Sequence, residues 1–369
     1  MQVPVVKTDQ ALQFLEATKT NFIDEQKAIS ILAKQEAKLY TNSENTLDWI
    51  YRNHPDKAFI AVLEQVKNKI AMRHKLKQVH PGYAYREVLL MDLARINPNE
   101  ISYPVILKPS VGFFSLGVHA VKSSEEWIKA VHDIMASIDE IAQLYPEAVL
   151  DLESFIVEEV IEGDEYAADC YYDEKGELVV LNIMKHLFAS AADVNDRVYV
   201  TSSAIIADQL PSIQKYLEVL GGIFGFKNFP AHIELRIDKG SSINVVEINP
   251  LRFGGWCSTP DLAHHAWGFN VYHQFCAGER PVWDKLTDNN SKNTYALIVL
   301  NNSTGIPGSK IRSFNYKHLM GDLDNPLELR EVDHKAYPLF GFIMCMVPSG
   351  DLSSLHKLLH SDLSEYVEV

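Results

Sequence analysis

The sequence predicts an α+β fold, in which a helical N-terminal region precedes a segment rich in antiparallel strands. Apolar residues recur at helical spacing through residues 1–67, where no glycine occurs. Short alternating segments with polar turns between them follow from about residue 104. The last segment, residues 283–369, combines predicted strands with a final helix. The order of these elements predicts more than one domain in a chain of 369 residues.

Composition excludes several classes of function. Lys and Arg number 34 against 49 Asp and Glu, a net charge of −15, which argues against nucleic acid as a partner because phosphate backbones are bound by basic surfaces. The longest apolar run, residues 339–347, is too short to span a bilayer. No signal pattern opens the chain. Four scattered cysteines without a Cys-x-x-Cys pair fit a reduced, cytoplasmic location.

The N-terminal region cannot hold a Rossmann phosphate loop, because that loop needs glycines and the first glycine is Gly82. A further amphipathic helix begins at Asn68-Lys69 and ends before His80-Pro81-Gly82. Taken alone, Lys69 is most simply a solvated helix lysine.

The next feature is a strand that ends in Lys108-Pro109, followed by a loop of small residues over 110–118 and a second strand through Val121. Such a loop offers backbone N–H groups to phosphate oxygens. The alternative is a plain hairpin turn, since neither a Walker A motif nor Gly-x-Gly-x-x-Gly occurs here. Ser123 and Glu126 form a capping-box pattern that starts a helix through about Ala142.

Residues 155–203 are predicted to contain strands up to Met184 and then a loop. Phe155–Glu165 leads from a strand through a connector into the strands 166–172 and 178–184. Its acidic residues are open to a simpler interpretation as a solvated face. The pattern from 185 to 203 is weak, which predicts a loop over a pocket.

A β-hairpin over residues 231–255 carries the strongest chemical pattern. Side chains alternate along a strand, so Glu234 faces one side of the first arm, while Glu247 and Asn249 share a side of the second. The hairpin brings three oxygen ligands together, as a hard cation such as Mg²⁺ requires. An ordinary hairpin with a polar outer face is the alternative.

The remaining segments are predicted from periodicity and turn residues. A helix is expected over 211–220, another over 261–275 and a last one over 351–366, with strands at 294–300, 327–332 and 339–347. The polar stretch 283–292 is predicted to be a linker.

In order and spacing, these elements over residues 65–270 resemble the ATP-grasp superfamily. The resemblance implies two α+β subdomains that grip ATP, with an abbreviated N-terminal region (1–67), an ATP-grasp domain (68–282, its lid subdomain at about 100–160) and an α/β C-terminal extension (283–369). It also implies that Lys69 and Lys108 reach the nucleotide phosphates. The mobile loop that would cover the phosphates contributes Ser110, Gly112, Ser115 and Gly117.

The same resemblance assigns the rest of the nucleotide site. Glu158 would accept a hydrogen bond from the adenine amino group, and Glu165 would hold the ribose hydroxyls. Glu234, Glu247 and Asn249 would bind two Mg²⁺ ions, with Mn²⁺ as the alternative ion. The backbone that contacts adenine would belong to Glu159, Val160 and Ile161.

The implied activity is that of an ATP-dependent carboxylate–amine or carboxylate–thiol ligase that forms an acylphosphate. Small-molecule carboxylates and amines, amino acids among them, are the expected partners; a homodimer is compatible with the sequence. Candidate catalytic anchors are Arg252, Lys185 and Arg197, with His186 beside them, and a structural salt bridge is the alternative for each. In the family an arginine often stands two residues after the asparagine, where Leu251 stands here. A kinase that phosphorylates a hydroxyl, and a nucleotide-binding protein without turnover, remain alternatives.

Overall fold

The computed structural model describes residues 3–8, 18–34, 37–112, 117–142, 151–189, 197–290 and 292–369. Its N-terminal region is mostly helical, as predicted, but also contains two short parallel strands, β1 (Val5–Val6) and β2 (Phe22–Ile23). The helices that follow are α1 (Glu25–Leu32), α2 (Leu47–Asn53), α3 (Lys57–Lys67) and α4 (Lys69–Leu76).

A four-stranded antiparallel sheet, here called the small sheet, is formed by described residues 85–159. Its strands lie in the order β3-β6-β4-β5. The apolar residues of this unit, Trp127 and Phe155 among them, form a core of their own. Ser123 Oγ accepts a hydrogen bond from the backbone N–H of Glu126 at 3.3 Å, which fits the predicted helix start. The elements are β3 (Tyr85–Leu89), α5 (Leu90–Leu93), β4 (Val105–Val111), β5 (His119–Val121), α6 (Ser124–Ala142) and β6 (Asp151–Glu159).

In the described part of the chain, eight further strands form one antiparallel sheet, the main sheet. Their order is β11-β10-β7-β8-β9-β12-β15-β14. The strands are β7 (Asp164–Tyr172), β8 (Leu178–Leu187), β9 (Val198–Ser202), β10 (Phe229–Ile237), β11 (Ile243–Pro250), β12 (Asn293–Asn301), β14 (Pro326–Glu331) and β15 (Leu339–Pro348). A separate pair joins β13 (Ser313–Phe314) to β16 (Val367–Glu368).

Helices cover both faces of the main sheet. The larger core lies between the sheet and the helices around residues 60–76, 206–224 and 262–275, and a second core lies under the C-terminal helices. The helices after β9 are α7 (Ser203–Phe224), α8 (Thr259–Trp267), α9 (Val271–Ala277), α10 (Trp283–Asn289), α11 (Tyr316–Gly321) and α12 (Ser353–His360). None of the helices in the described ranges is long and apolar enough to cross a bilayer.

Four local predictions were wrong. The last helix, expected over 351–366, ends at His360, and a separate 3₁₀ turn at Ser364–Tyr366 follows it. The expected loop over 185–203 is partly strand, because β8 runs to Leu187 and β9 begins at Val198; residues 190–196 lie outside the described ranges. The expected linker at 283–292 contains α10. The helix expected over 261–275 is interrupted at Gly268, whose φ of +76° ends α8.

Candidate active site

The predicted hairpin is present as the antiparallel pair β10–β11 at the edge of the main sheet. Glu234 lies directly opposite Glu247, and His232 lies opposite Asn249. Residues opposite each other in an antiparallel pair project from the same face, so the three predicted metal ligands converge. The amide Nδ2 of Asn249 donates to Glu234 Oε1 at 3.2 Å.

Lys69 reaches this face from the first residue of α4. Asn68 caps the helix by accepting hydrogen bonds from Ile70 and Ala71, both at 3.0 Å, which fixes where Lys69 stands. The Lys69 ammonium lies 3.0 Å from Glu247 Oε1 and donates to Gly112 O at 3.3 Å. Burial would raise the pKa of Glu247, but the nearby lysines, Lys69 foremost, hold that pKa below its usual value.

A second buried ion cluster joins the small sheet to α4. Glu158 on β6 accepts from Lys108 Nζ at 2.7 Å and from Arg73 Nε at 2.6 Å, and all three side chains are almost fully buried. Burial alone would raise the pKa of Glu158, yet the two cations lower it to about 2. Burial lowers the pKa of Lys108, and Glu158 opposes that effect. Arg73 was not predicted, although it lies one helical turn after Lys69.

Arg73 also connects the two sheets. Its Nη1 donates to Val245 O on β11 at 2.6 Å, and its guanidinium lies 4.7 Å from the centre of the Tyr83 ring. One buried side chain therefore contacts β6 of the small sheet and β11 of the main sheet. Because Lys108 and Arg73 share the Glu158 carboxylate, Lys108 is linked to β11 of the hairpin through these two side chains.

The predicted cover loop is described only at its two ends. Ser110 is fully buried, and among the described residues its hydroxyl has no hydrogen-bond partner. Gly112 is buried and its carbonyl accepts from both Lys67 and Lys69 at 3.3 Å. Gly117 adopts φ +69°. Ser115, with residues 113–116, lies outside the described ranges.

The predicted adenine connector follows β6. The backbone N–H of Glu159 donates to Ala84 O, and its carbonyl accepts from the Tyr83 hydroxyl, both at 2.9 Å. Val160 is half-buried. Ile161 O accepts from Arg236 Nη1 at 2.8 Å. These bonds fix the connector against the two residues that precede β3 and against Arg236 of β10.

Glu165, the predicted ribose ligand, lies between two basic side chains. Arg236 Nε donates to its Oε2 at 2.9 Å, and His186 Nδ1 lies 3.1 Å from its Oε1. Burial would raise the pKa of Glu165, but His186 and Arg236 lower it. The His186 ring stacks on Tyr199 with centroids 4.4 Å apart.

Arg252 lies just beyond the hairpin and is paired with an acid from the N-terminal region. Its Nε and Nη2 donate to Glu44 Oε1 at 2.8 and 2.5 Å. The other oxygen of Glu44 accepts from Lys67. Burial would raise the pKa of Glu44, whereas the two cations lower it to about 2. Arg252 therefore forms a structural salt bridge, which was the alternative to a catalytic role for this residue.

Two predicted anchors have other partners. Lys185 binds Asp164 Oδ2 at 2.6 Å. Arg197 was expected in a loop over the pocket, but it lies in contact with the end of α12, where its Nη1 donates to Leu358 O and Leu359 O at 3.4 Å. A cation satisfies the free carbonyls of a helix end, so the structure joins Arg197 to the C-terminal helix.

Comparisons with known proteins bear on the fold and on one family domain. Residues 101–260 match the family model described as an ATP-grasp domain. The fold is similar to that of an L-amino acid ligase from Bacillus licheniformis, at 17% identity and a TM-score of 0.66, covering 100% of this chain and 92% of that one. No curated protein sequence matches significantly.

Two further solved structures share the fold. An N5-carboxyaminoimidazole synthase from Aspergillus clavatus, in complex with ADP and an aminoimidazole ribonucleotide, has 13% identity and a TM-score of 0.60, with 99% of this chain and 92% of that one covered. The biotin carboxylase domain of a Hydrogenobacter thermophilus 2-oxoglutarate carboxylase, with MgADP and bicarbonate, has 14% identity and a TM-score of 0.59, with 94% and 81% covered.

Proposed function

We propose that this protein is an ATP-dependent ligase that joins a carboxylate to an amine. The match of residues 101–260 to the ATP-grasp family model and the similarity of the fold to that of an L-amino acid ligase support the proposal. The observation that carries the proposal is the convergence of Glu234, Glu247 and Asn249 on one hairpin face with Lys69 bound to Glu247. Acidic oxygen ligands and a buried cation side by side suit a metal–phosphate complex.

The donor set fits Mg²⁺ by its chemistry. Two carboxylates and one amide oxygen are hard ligands, and among the described residues no cluster of three or more His, Cys, Asp and Glu competes with them as a metal site. Mg²⁺ bound there would neutralise charge on the transferred phosphoryl group. We also propose that a second Mg²⁺ ion binds at this site and that Mn²⁺ can replace Mg²⁺.

The buried cations would bind the phosphates of ATP as a substrate. Lys69 lies on α4, where it donates to Gly112 O, and Lys108 lies on β4, where it binds Glu158. The buried hydroxyl of Ser110, without a partner among the described residues, is suited to a phosphate oxygen. Glu165 would accept from the ribose hydroxyls, and Glu158 with the 159–161 backbone would face adenine.

The proposed reaction has two steps. A carboxylate oxygen of the first substrate attacks the γ-phosphorus, the bond to the bridging oxygen breaks and ADP leaves. The amine nitrogen of the second substrate then attacks the acyl carbon, phosphate leaves, and loss of a proton from nitrogen gives the amide. Positioning and charge stabilisation are what the protein supplies, and Arg252 is the proposed donor to the oxyanion. Lys185 is a candidate for contact with the carboxylate substrate.

Amino acids are the proposed substrates, which the similarity to an L-amino acid ligase supports. The test is an ADP-release screen of the purified protein with pools of amino acids and other carboxylates, followed by mass spectrometry of the product. Equal amounts of ADP and free phosphate with an amide product are expected. Glu247→Gln is the matched control for contaminating ATPases. A stable phosphorylated product without free phosphate would replace the ligase by a kinase.

A further inference from the structure

Glu165, the proposed ribose ligand, is held from the strands on both sides of its own. Its strand, β7, lies between β10 and β8 in the main sheet. On β10, Arg236 lies directly opposite Glu165, and its Nε donates to Oε2 at 2.9 Å. On β8, His186 Nδ1 lies 3.1 Å from Oε1, and this nitrogen is the donor because an ionised carboxylate only accepts. Each oxygen of the carboxylate is thus bound by a neighbouring strand.

These two bonds orient the carboxylate and leave acceptor sites for a ligand. An ionised carboxylate has roughly four lone-pair sites, and the bonds from Arg236 and His186 occupy one on each oxygen. The Glu165 side chain is 11% exposed, so the ligand can reach it. The free sites suit the two neighbouring hydroxyls of a ribose, which are both donors.

Arg236 also holds the connector whose backbone is proposed to face adenine. Its Nη1 donates to Ile161 O at 2.8 Å, and its guanidinium carbon lies 5.8 Å from the centre of the Phe188 ring. A guanidinium presents its donors in a rigid planar fork. The two bonds therefore fix the Glu165 carboxylate relative to the connector, which links the proposed ribose and adenine contacts through one side chain.

The same strand carries a proposed metal ligand. Arg236 follows Glu234 by two residues on β10, and along the pairing with β7 they lie opposite Glu165 and Ala167. Side chains two apart on a strand project from the same face. The strand that supplies Glu234 thus also supplies the group that orients Glu165.

We propose that Arg236 is a positioning residue for nucleotide selection: it holds the Glu165 carboxylate where that group accepts from the ribose, and it thereby makes binding depend on the 2′-hydroxyl. The inference rests on the proposed function, because it takes Glu165 to be the ribose ligand of a bound adenine nucleotide. A merely structural salt bridge would change the stability of the protein and not its discrimination between ribose and 2′-deoxyribose.

The test compares the dissociation constants of ADP and 2′-deoxy-ADP, measured by isothermal titration calorimetry with Mg²⁺ and without turnover. A hydroxyl that donates to an ionised acceptor makes a strong hydrogen bond, so the wild type should bind ADP about tenfold or more tightly. Arg236→Met removes both donors and keeps an unbranched stem, and it should bring the ratio of the two constants close to one. Glu165→Ala should do the same, because it removes the acceptor.

Arg280→Met is the matched control. Arg280 Nη2 donates to Asp173 Oδ2 at 2.9 Å and its Nη1 to Leu178 O at 3.4 Å. Like Arg236, it joins a carboxylate to a backbone carbonyl, but it does so beyond the other end of β7. Its replacement should leave the ratio at the wild-type value.

A second substitution applies where Arg236→Met does not fold or binds neither nucleotide. Arg236→Lys keeps the charge but lacks the planar fork that serves Glu165 and Ile161 together. The ratio should then fall below that of the wild type, and an unchanged ratio in Arg236→Lys would overturn the inference.

The outcomes separate this inference from the ligase proposal. A preference for ADP that is lost in Arg236→Met and kept in Arg280→Met supports it. A wild-type ratio in Arg236→Met, or a ratio lost in Arg280→Met as well, overturns it and leaves the ligase proposal standing. Equal binding of both nucleotides by the wild type also overturns it, although an adenine nucleotide still binds. If the wild type binds neither nucleotide, both proposals fail.

Discussion

Replacement of Glu158 by Gln tests the ion cluster that joins the two sheets. The carboxylate is buried and accepts from Lys108 and Arg73, so Glu158→Gln leaves two buried cations without a counter-charge. The pKa of Glu158 falls from 4.5 to about 2 in the folded protein. At about 1.36 kcal/mol per pKa unit, that difference corresponds to about 3 kcal/mol of stability at neutral pH. Loss of one partner from a buried ion pair costs about 3–5 kcal/mol, which is the same order.

The sign of the pH dependence follows from the lowered pKa. A carboxyl group with a lowered folded-state pKa stabilises the protein above its unfolded-state value of 4.5 and loses that contribution as the pH falls toward about 2. The wild type should lose about 1.4 kcal/mol from this group by pH 3.5, since each pH unit below 4.5 corresponds to about 1.36 kcal/mol. The difference between wild type and Glu158→Gln should shrink by the same amount.

Urea denaturation at pH 7 and at pH 3.5 measures both effects. Glu177→Gln is the matched control, because Glu177 makes an exposed ion pair with Arg280 at 2.8 Å, and exposed pairs contribute little. A Glu158→Gln variant as stable as wild type at pH 7, or a difference that does not shrink at pH 3.5, would refute the argument from the buried cluster.

Three further outcomes concern activity. Glu247→Gln should abolish ATP turnover with little change in the circular dichroism spectrum, and turnover within about threefold of wild type would contradict its role as a metal ligand. Lys108→Ala should weaken ATP binding or turnover about tenfold or more, since a charge-assisted hydrogen bond contributes about 1.5–3 kcal/mol; unchanged calorimetry and kinetics would reject this. Arg252→Ala should retain ATP binding and lose about 10²–10³ in amide formation if its guanidinium stabilises the oxyanion, whereas undiminished product would leave Arg252 with a structural role alone.

The hairpin could be predicted because the pattern that specifies it lies within one short stretch of sequence. Alternation over 231–237 and 243–249, with a polar turn between them, fixes both strands and the shared face of Glu247 and Asn249. The same holds for β4, where an apolar run ends in Lys108. The fold class followed from these elements and their order.

Partners far apart in the chain were not predictable. Arg73 and Glu158 are 85 residues apart, and Arg252 and Glu44 are 208 apart. No periodicity encodes such a pairing, because it depends on how separate elements pack. The sequence therefore singled out Lys69, Lys108 and Arg252 as candidate contacts for the substrates, but it did not indicate the acids with which they pair.

The misassigned segment 185–203 has a different cause. Lys185 and His186 lie at the end of β8, opposite Val200 and Tyr199, where polar side chains interrupt the apolar pattern of a strand. Their partners, Asp164 and Glu165, come from the start of β7. In the folded protein, Lys185 and His186 are paired with acids that lie 21 residues earlier in the chain. A local sequence pattern shows only that the two residues are polar, and so it did not indicate a strand.

The pairing of β9 with β12 has a practical consequence for any shortened form of this protein. On the side away from β8, the strand Val198–Ser202 pairs with residues 294–298 of β12. These residues lie beyond residue 260, where the family match ends. A polypeptide that stops at residue 282 would leave β9 with a row of open N–H and C=O groups beside apolar side chains such as Val198 and Val200, which is a template for pairing with other molecules. Such a polypeptide should precipitate on expression, so the smallest segment that folds is longer than the segment that sequence comparison recognises.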